Sequence, residues 1–165
     1  MNKIKEIQVK DIIYLDESGF DMNMVRERGW SKRGKKLFGE RSGNRKGKRI
    51  TVIGAINGRK GKLLAPIYFE GSTNTEVFNI WIKDYLLPEI RNQKKVIIMD
   101  NASFHKNNKT KELIEEAGHT LLYLPPYSPD FNPIEHKWSQ IKSIVKKTKE
   151  RFKEFYDCLD YCLCC

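Results

Sequence analysis

A proline-rich stretch at residues 123–138, YLPPYSPDFNPIEHKW, most constrains what this chain can fold into. It holds four of the six prolines in the sequence. Because proline fixes its own φ and disfavours helix in the residue before it, the stretch predicts a stiff loop. Asn132 can cap a helix, Pro133 suits a first helical position, and apolar residues then recur at helical spacing. We therefore expect a rigid loop that leads into a helix and leaves Glu135, in its first turn, little conformational freedom.

Composition limits the class of protein. The chain has 165 residues, 39% of them hydrophobic, which predicts a single folded domain over residues 1–165. It contains no apolar run long enough to span a bilayer, and its charged start does not resemble a signal peptide. All four cysteines lie in the last eight residues, which argues against a disulfide framework and against a zinc-ligand pattern. We expect a cytoplasmic protein with no membrane partner.

Apolar runs and turn signals predict an α/β fold. Strands are predicted at residues 11–16, 50–56, 63–69, 96–99 and 121–124. Helices are predicted after a capping box at Thr73 and Glu76, at residues 110–117, from Pro133, and at residues 150–163. Pro88 is expected to end or kink the first helix. Three meandering strands followed by β-α-β-α-β indicate a mixed five-stranded sheet flanked by helices.

One segment, residues 26–49, carries nearly all of the net charge of +10. It has eleven lysines and arginines against two glutamates, with five interspersed glycines. Such a basic insertion indicates a polyanionic partner, either nucleic acid or an anionic membrane, although a solvated surface is the simpler interpretation. The candidate phosphate-binding residues are Arg26, Arg28, Lys32, Arg33, Lys35, Lys36, Arg45, Lys46, Lys48 and Arg49.

Two buried strands are each predicted to end in an aspartate, Asp16 and Asp100. Ligands of open α/β sheets gather beyond the carboxyl ends of strands, so neighbouring strands would bring both carboxylates into one crevice, and Glu135 could complete the set. Three carboxylates without cysteine or histidine suit Mg²⁺ or Mn²⁺. Each residue also has a structural interpretation. Asp16 can begin a turn, Asp100 can form an Asx turn, and Glu135 can bond back to a cap at Asn132.

The words around the three acids, YLDESGF, IIMDNASFH and YLPPYSPDFNPIEHKW, resemble the catalytic motifs of DDE transposases. The 34 residues between Asp100 and Glu135 are typical of bacterial insertion-sequence transposases allied to the mariner superfamily. The resemblance covers about residues 11–145. It implies a ribonuclease H-like fold, with Asp16, Asp100 and Glu135 as catalytic residues that bind two Mg²⁺ or Mn²⁺ ions. It also implies nicking of transposon ends and strand transfer into target DNA by a homo-oligomer, with the basic segment holding DNA.

Some features leave alternatives open. The family usually carries N-terminal helix-turn-helix modules, and the first strand here begins too close to Met1 for one. We therefore expect either a catalytic half that works with an upstream-encoded module, or an inactive remnant that binds DNA without catalysis. Asn101 and His105 lie in the second motif as candidate accessory residues, and a structural role for His105 is an equally good interpretation. An aspartyl phosphohydrolase at Asp16 ranks lower, because Ser18 stands where a second aspartate would be expected.

Overall fold

A mixed five-stranded sheet forms the centre of the computed structural model, which describes residues 11–22, 49–126 and 131–164. The strands are β1 (Ile12–Asp21), β2 (Arg49–Asn57), β3 (Leu63–Glu70), β4 (Val96–Met99) and β5 (Thr120–Tyr123). Their order across the sheet is β3-β2-β1-β4-β5. The first three form an antiparallel meander, and β4 and β5 run parallel to β1. The predicted sheet is confirmed, including the hairpin between β2 and β3.

Helices cover both faces of the sheet. One layer contains α1 (Thr75–Trp81), a π-helical turn (Ile82–Leu86), α2 (Leu87–Ile90) and α3 (Asn108–Glu116). The other contains α4 (Ile134–Thr148), a 3₁₀ turn (Lys149–Arg151) and α5 (Phe155–Cys164). Within the described ranges, no helix is long and apolar enough to cross a bilayer.

The residues of β1 alternate between the two helical layers, as the two-residue period of a strand requires. Tyr14 and Phe20 pack with α4 and α5, whereas Ile13 and Leu15 pack with α1 and α3. By the same alternation, Asp16 belongs to the α4 face of the sheet. β1 is therefore buried on both sides and divides the core in two.

β1 is longer than predicted. It continues to Asp21, so Asp16 lies inside the strand; the predicted strand end at Asp16 is wrong, as is the alternative that a turn begins there. The physical reason is pairing: β2 pairs with β1 from Ile13 to Asp21, while the parallel ladder to β4 stops at Tyr14. The hydrogen bonds from β2 keep β1 extended through the segment Glu17-Ser18-Gly19, whose residue types by themselves favour a turn.

Several boundaries also differ from the predicted ones. Asn74, not Thr73, caps α1, because the Asn74 side chain accepts a hydrogen bond of 2.9 Å from the Val77 backbone N–H. Pro88 does not end the helix; a π-helical turn precedes it and accommodates the missing N–H. α5 begins at Phe155 rather than near residue 150, because the chain turns at Phe152, which has an extended backbone and packs against the core under α4 and α5. β5 is shifted by one residue towards the N-terminus.

Helix α4 is fixed to the sheet by Trp138, whose side chain is 1% exposed. A Cβ added to Gly54 in β2 would lie 3.0 Å from Trp138 Cη2, so the indole packs directly on the glycine backbone. Gly54 is the β2 partner of Asp16. The missing side chain at Gly54 thus lets α4 approach the sheet beside Asp16, and Trp138 also packs edge-on against Phe20.

We predict that Gly54→Ala lowers the free energy of unfolding by about 1–3 kcal/mol, because the added methyl group would lie 2.9 Å from Leu63 Cδ1 and 3.0 Å from Trp138 Cη2. Chemical denaturation measures the change. In a Trp138→Phe background the smaller ring removes Cη2, so the alanine should cost less there than in the wild type. If the losses of stability caused by Gly54→Ala and Trp138→Phe simply add in the double variant, the two residues are not in close contact.

Candidate active site

The structure brings Asp16 and Asp100 to adjacent, parallel strands. Asp16 lies in β1 just past the last residue paired with β4, and Asp100 directly follows β4. The condition stated from the sequence, that the two strands be neighbours, is therefore met. The charges of the two carboxylates interact, since Asp100 contributes to raising the pKa of Asp16. The two acids therefore share the crevice that opens where the parallel ladder ends.

Asp16 lies in a strongly negative environment. Its side chain is only 8% exposed. Burial is the main cause that raises its pKa, followed by the charges of Glu17 and Glu135, to about 8 from the usual 3.8; a hydrogen bond from the Glu17 backbone only partly opposes them. Near neutral pH this carboxyl group therefore holds a proton unless a cation lowers the local negative potential.

Asp100 is held by two hydrogen bonds to the same oxygen. Its Oδ1 accepts from the Ala102 backbone N–H at 3.0 Å and lies 2.6 Å from His105 Nδ1. The hydrogen bond from His105 is the main cause that lowers the pKa of Asp100, although partial burial opposes it. The Asx turn considered from the sequence is thus present. It also orients the carboxylate, so the structural and functional interpretations are compatible at this residue.

His105 is fully buried and joins Asp100 to a second acid. Its Nε2 lies 2.9 Å from Glu17 Oε1 on β1. Burial lowers the pKa of His105, but the hydrogen bonds to Asp100 and Glu17 outweigh it and raise the pKa to about 9. Glu17 faces away from Asp16, as expected of adjacent strand residues. Its bond to His105 was not predicted, because nothing in the spacing of the sequence relates residues 17 and 105.

Glu135 lies in the first turn of α4, on the face of the sheet that also carries Asp16. Its charge is among the causes that raise the pKa of Asp16. The predicted Asn132 cap is wrong: α4 has no side-chain cap, and the Asn132 side chain is buried and donates to the Leu15 carbonyl oxygen at 3.4 Å. This bond ties the end of the proline-rich loop to the residue that precedes Asp16. Glu135 itself remains exposed.

The donor atoms suit a hard divalent cation. Among the residues that the structure describes, no three acidic, histidine or cysteine side chains converge closely enough to form a complete metal site. Three carboxylates repel one another when no cation lies between them. Burial and then the charges of Glu17 and Glu135 raise the pKa of Asp16, so a nearby cation would favour its ionised form. Asp16, Asp100 and Glu135 offer only oxygen ligands. These residues therefore fit Mg²⁺ or Mn²⁺.

A basic groove runs along α4 from Glu135 and was not predicted from the sequence. An open cavity of about 460 Å³ is lined by Glu135, Trp138, Ser139, Lys142, Ser143 and Lys146. A second cavity shares Lys142 and continues to Gly19, Phe20, Asp21 and Arg49. The spacing of Ser139, Lys142 and Lys146 behind Glu135 places them on one helical face, a signal that the sequence did contain.

Lys142 and Arg49 are placed in this groove by specific contacts. Lys142 Nζ lies 5.4 Å from the centre of the Phe20 ring, and partial burial lowers the pKa of Lys142 while Glu135 and Asp16 oppose that shift. The Arg49 guanidinium lies over Gly19, where a Cβ would come within 2.7 Å of Arg49 Nε. Arg49 is the only one of the ten predicted phosphate-binding residues within the described part of the chain; the other nine lie outside it.

We predict that Asp16→Asn stabilises the protein when divalent cations are chelated. The folded-state pKa of Asp16 exceeds its unfolded value, so its contribution to stability is complete below about pH 4 and is lost as the pH rises through about 8. Above pH 8 the uncharged asparagine should raise the free energy of unfolding by about 1–3 kcal/mol. Thermal and chemical denaturation in EDTA measure this gain.

The exposed Asp84→Asn is the matched control and should change stability little. Adding Mn²⁺ should stabilise the wild type more than Asp16→Asn, since the variant lacks a ligand. If Asp16→Asn is no more stable than the wild type at pH 8–9 in EDTA, ionised Asp16 does not destabilise the folded protein and the prediction is wrong.

Comparisons with known proteins agree with this architecture. The Mos1 transposase, in its paired-end complex with the left transposon end, superposes with a TM-score of 0.68 at 17% identity; the match covers 98% of this chain and 56% of that one. The catalytic core domain of BIV integrase superposes with a TM-score of 0.55 at 13% identity, covering 93% of this chain and 81% of that one. The chain has the ribonuclease H-like fold of these proteins, as predicted, and spans just over half the length of the Mos1 chain.

Sequence comparison identifies the family. An uncharacterized protein, y4pE/y4sA, from Sinorhizobium fredii (strain NBRC 101917 / NGR234) is 28% identical over 114 residues, which cover 67% of this chain and 78% of that protein. The family model described as DDE superfamily endonuclease matches residues 11–157. Since this match includes all three acidic motifs and most of the chain, the protein belongs to the DDE superfamily endonuclease family.

Proposed function

We propose that this protein is a transposase catalytic domain that nicks DNA and transfers the resulting strand end into target DNA in a metal-dependent reaction. The observation that carries the proposal is the electrostatic coupling of Asp16 to both Asp100 and Glu135 in a chain of this family. The three acids come from β1, from the end of β4 and from the first turn of α4. A site of this kind needs carboxylates on separate rigid elements facing a common crevice.

Asp16, Asp100 and Glu135 would hold Mg²⁺ or Mn²⁺, and we propose two ions. When bound, such ions activate an attacking oxygen and stabilise the leaving oxygen of a phosphodiester. The raised pKa of Asp16 means that metal binding must displace a proton from this carboxyl group near neutral pH. Asp100 is already biased towards its ionised form by His105 and the Ala102 N–H. The two aspartates therefore differ: Asp100 is prepared for a cation, whereas Asp16 becomes charged only when one binds.

The α4 groove would bind the DNA backbone next to the acids. Lys142 belongs to both cavities of the groove, and Arg49 lines the end away from Glu135. The hydroxyl groups of Ser139 and Ser143 can donate hydrogen bonds to phosphate oxygens. A phosphate held by Lys142 would lie close to the acids, since the charge of Lys142 interacts with both Asp16 and Glu135. We also propose that the basic segment at residues 26–49 holds DNA phosphates.

Recognition of transposon ends is a separate requirement. A groove of lysines and serines reads the DNA backbone and not the base sequence. We therefore propose that a helix-turn-helix module supplies end recognition and that the active complex is a homo-oligomer, which brings two transposon ends together.

We predict that the chain converts supercoiled plasmid into nicked circles with Mg²⁺ or Mn²⁺ and not in EDTA. Asp16→Asn, Asp100→Asn and Glu135→Gln should each lower the nicking rate by more than about 100-fold, since loss of even an outer-shell partner of a metal ligand costs about 10- to 100-fold. Gel electrophoresis of the plasmid measures the rate. The same chain joined to a sequence-specific DNA-binding module should direct the nicks to neighbouring sites.

Asp84→Asn again serves as the control and should nick at the wild-type rate. Undiminished nicking by Asp100→Asn or Glu135→Gln would refute the catalytic assignment. DNA binding without nicking in any metal ion would instead identify the chain as a non-catalytic remnant.

We predict that Lys142→Ala weakens DNA binding and makes it less sensitive to salt. The slope of log K against log salt concentration should become shallower by about 0.9 if Lys142 neutralises one phosphate. Arg49→Ala should have a similar effect. Lys111→Ala is the control, because Lys111 is an exposed lysine on α3 in the opposite helical layer. Equal slopes for Lys142→Ala and Lys111→Ala, measured by fluorescence anisotropy, would exclude the α4 groove as the DNA site.

A further inference from the structure

His105 occupies an unusual position for a buried histidine. Its side chain is 0% exposed, yet both ring nitrogens face carboxylates, with Nδ1 2.6 Å from Asp100 Oδ1 and Nε2 2.9 Å from Glu17 Oε1. The two acids belong to different chain segments, one in β1 and one after β4. A histidine that only filled core volume would need partners for its nitrogens, but not two acids from the strands that define the crevice.

The position of the ring is fixed independently of these two bonds. The His105 backbone N–H donates to the Ala102 carbonyl oxygen at 3.0 Å, and its own carbonyl oxygen accepts from Tyr123 Oη at 3.0 Å. The rings of Phe78 and Phe104 lie 4.4 and 4.3 Å from the imidazole, measured between ring centres. Main-chain hydrogen bonds and two aromatic rings therefore hold His105 in place in addition to its bonds with the two carboxylates.

The Glu17–His105–Asp100 bridge replaces strand pairing where pairing has stopped. The parallel ladder between β1 and β4 ends at Tyr14 and Ile98. Beyond that point no ladder hydrogen bond of β4 sets its distance from β1, although Asp16 and Asp100 lie there. The bridge joins the two strands again. It reaches Asp100, two residues past Ile98, and Glu17, three residues past Tyr14.

The bridge also engages one particular oxygen of Asp100. Oδ1 accepts from both His105 and the Ala102 N–H. A carboxylate whose one oxygen is engaged twice presents the other oxygen to a cation. Hydrogen-bonded partners of this kind orient metal ligands in many proteins.

We propose that His105 is a positioning residue for the metal site: anchored to Glu17, it fixes the orientation of Asp100 and its spacing from Asp16. This inference rests on the proposed function, because it assumes that Asp100 ligates the metal. It also assigns a role to Glu17 as the residue that anchors the other end of the Glu17–His105–Asp100 bridge. Neither the predicted strand ends nor the spacing of the motifs indicated this role.

Two amide substitutions of His105 test the two hydrogen bonds of the bridge separately. His105→Asn places an amide near the Nδ1 position and retains the bond to Asp100, whereas His105→Gln places one near Nε2 and retains only the bond to Glu17. Both variants lose a similar amount of buried ring. His119→Gln is the matched control for loss of a buried histidine, since His119 Nδ1 accepts from the Lys95 N–H at the other end of β4.

The experiment measures Mn²⁺ affinity of the full chain by electron paramagnetic resonance, together with thermal stability. The Asp100→Asn variant gives the Mn²⁺ affinity of a site that lacks the Asp100 carboxylate. We expect His105→Gln to weaken Mn²⁺ binding about 10- to 100-fold, His105→Asn to weaken it less, and His119→Gln to leave it unchanged despite a comparable loss of thermal stability.

The outcomes distinguish the two proposals. Suppose that Asp100→Asn weakens Mn²⁺ binding, but His105→Gln and His105→Asn bind Mn²⁺ with the same affinity as each other. His105 is then only a structural residue, and this inference is overturned. If Asp100→Asn itself has no effect, Asp100 is not a ligand, and both the inference and the proposed metal site fall. Weaker binding that tracks thermal stability across all three histidine variants would likewise refute a positioning role.

Discussion

The structure of the candidate site depends on the point at which the parallel pairing between β1 and β4 stops. β1 pairs with β2 over its length, but its parallel pairing with β4 covers only Ile12 to Tyr14. β1 therefore continues, still paired with β2, past the end of its neighbour β4. The space beside it becomes a crevice, with Asp16 on one wall and Asp100 at the end of the other. In an open sheet with parallel strands, this is the place where ligands bind.

The two faces of β1 then have different electrostatic roles. On the face towards α1 and α3, Glu17 is compensated by His105, which also holds Asp100. On the face towards α4, Asp16 is buried near Glu135 without comparable compensation, and its pKa rises to about 8. One side of the strand thus stabilises the geometry of the site, and on the other side Asp16 holds a proton near neutral pH unless a cation binds beside it. Trp138 on Gly54 keeps α4 close enough to maintain this arrangement.

The sequence predicted the features that depend on local patterns. The position of Asp100 at the end of a strand was predicted because a short apolar run, 96–99, stops abruptly at a charged residue, and the helix after Pro133 because its apolar residues repeat at helical spacing. Asp16 was correctly predicted to lie in a buried strand but was wrongly placed at its end, since local residue types cannot reveal pairing with β2. The Asn132 cap failed for a similar reason: a buried amide can bond to any nearby acceptor, and β1 supplied one.

The sequence by itself determined the order of the elements, the mixed sheet and the family, because these follow from hydrophobic periodicity and from motifs contiguous in the chain. Only the tertiary structure decided that Glu17 and Asp100 share His105, and that Arg49 approaches Lys142 through the space left at Gly19. These pairs are distant in sequence and meet only when the sheet brings their strands together. Burial and charge coupling belong to that packed state, and they convert three separate acids into one interacting group.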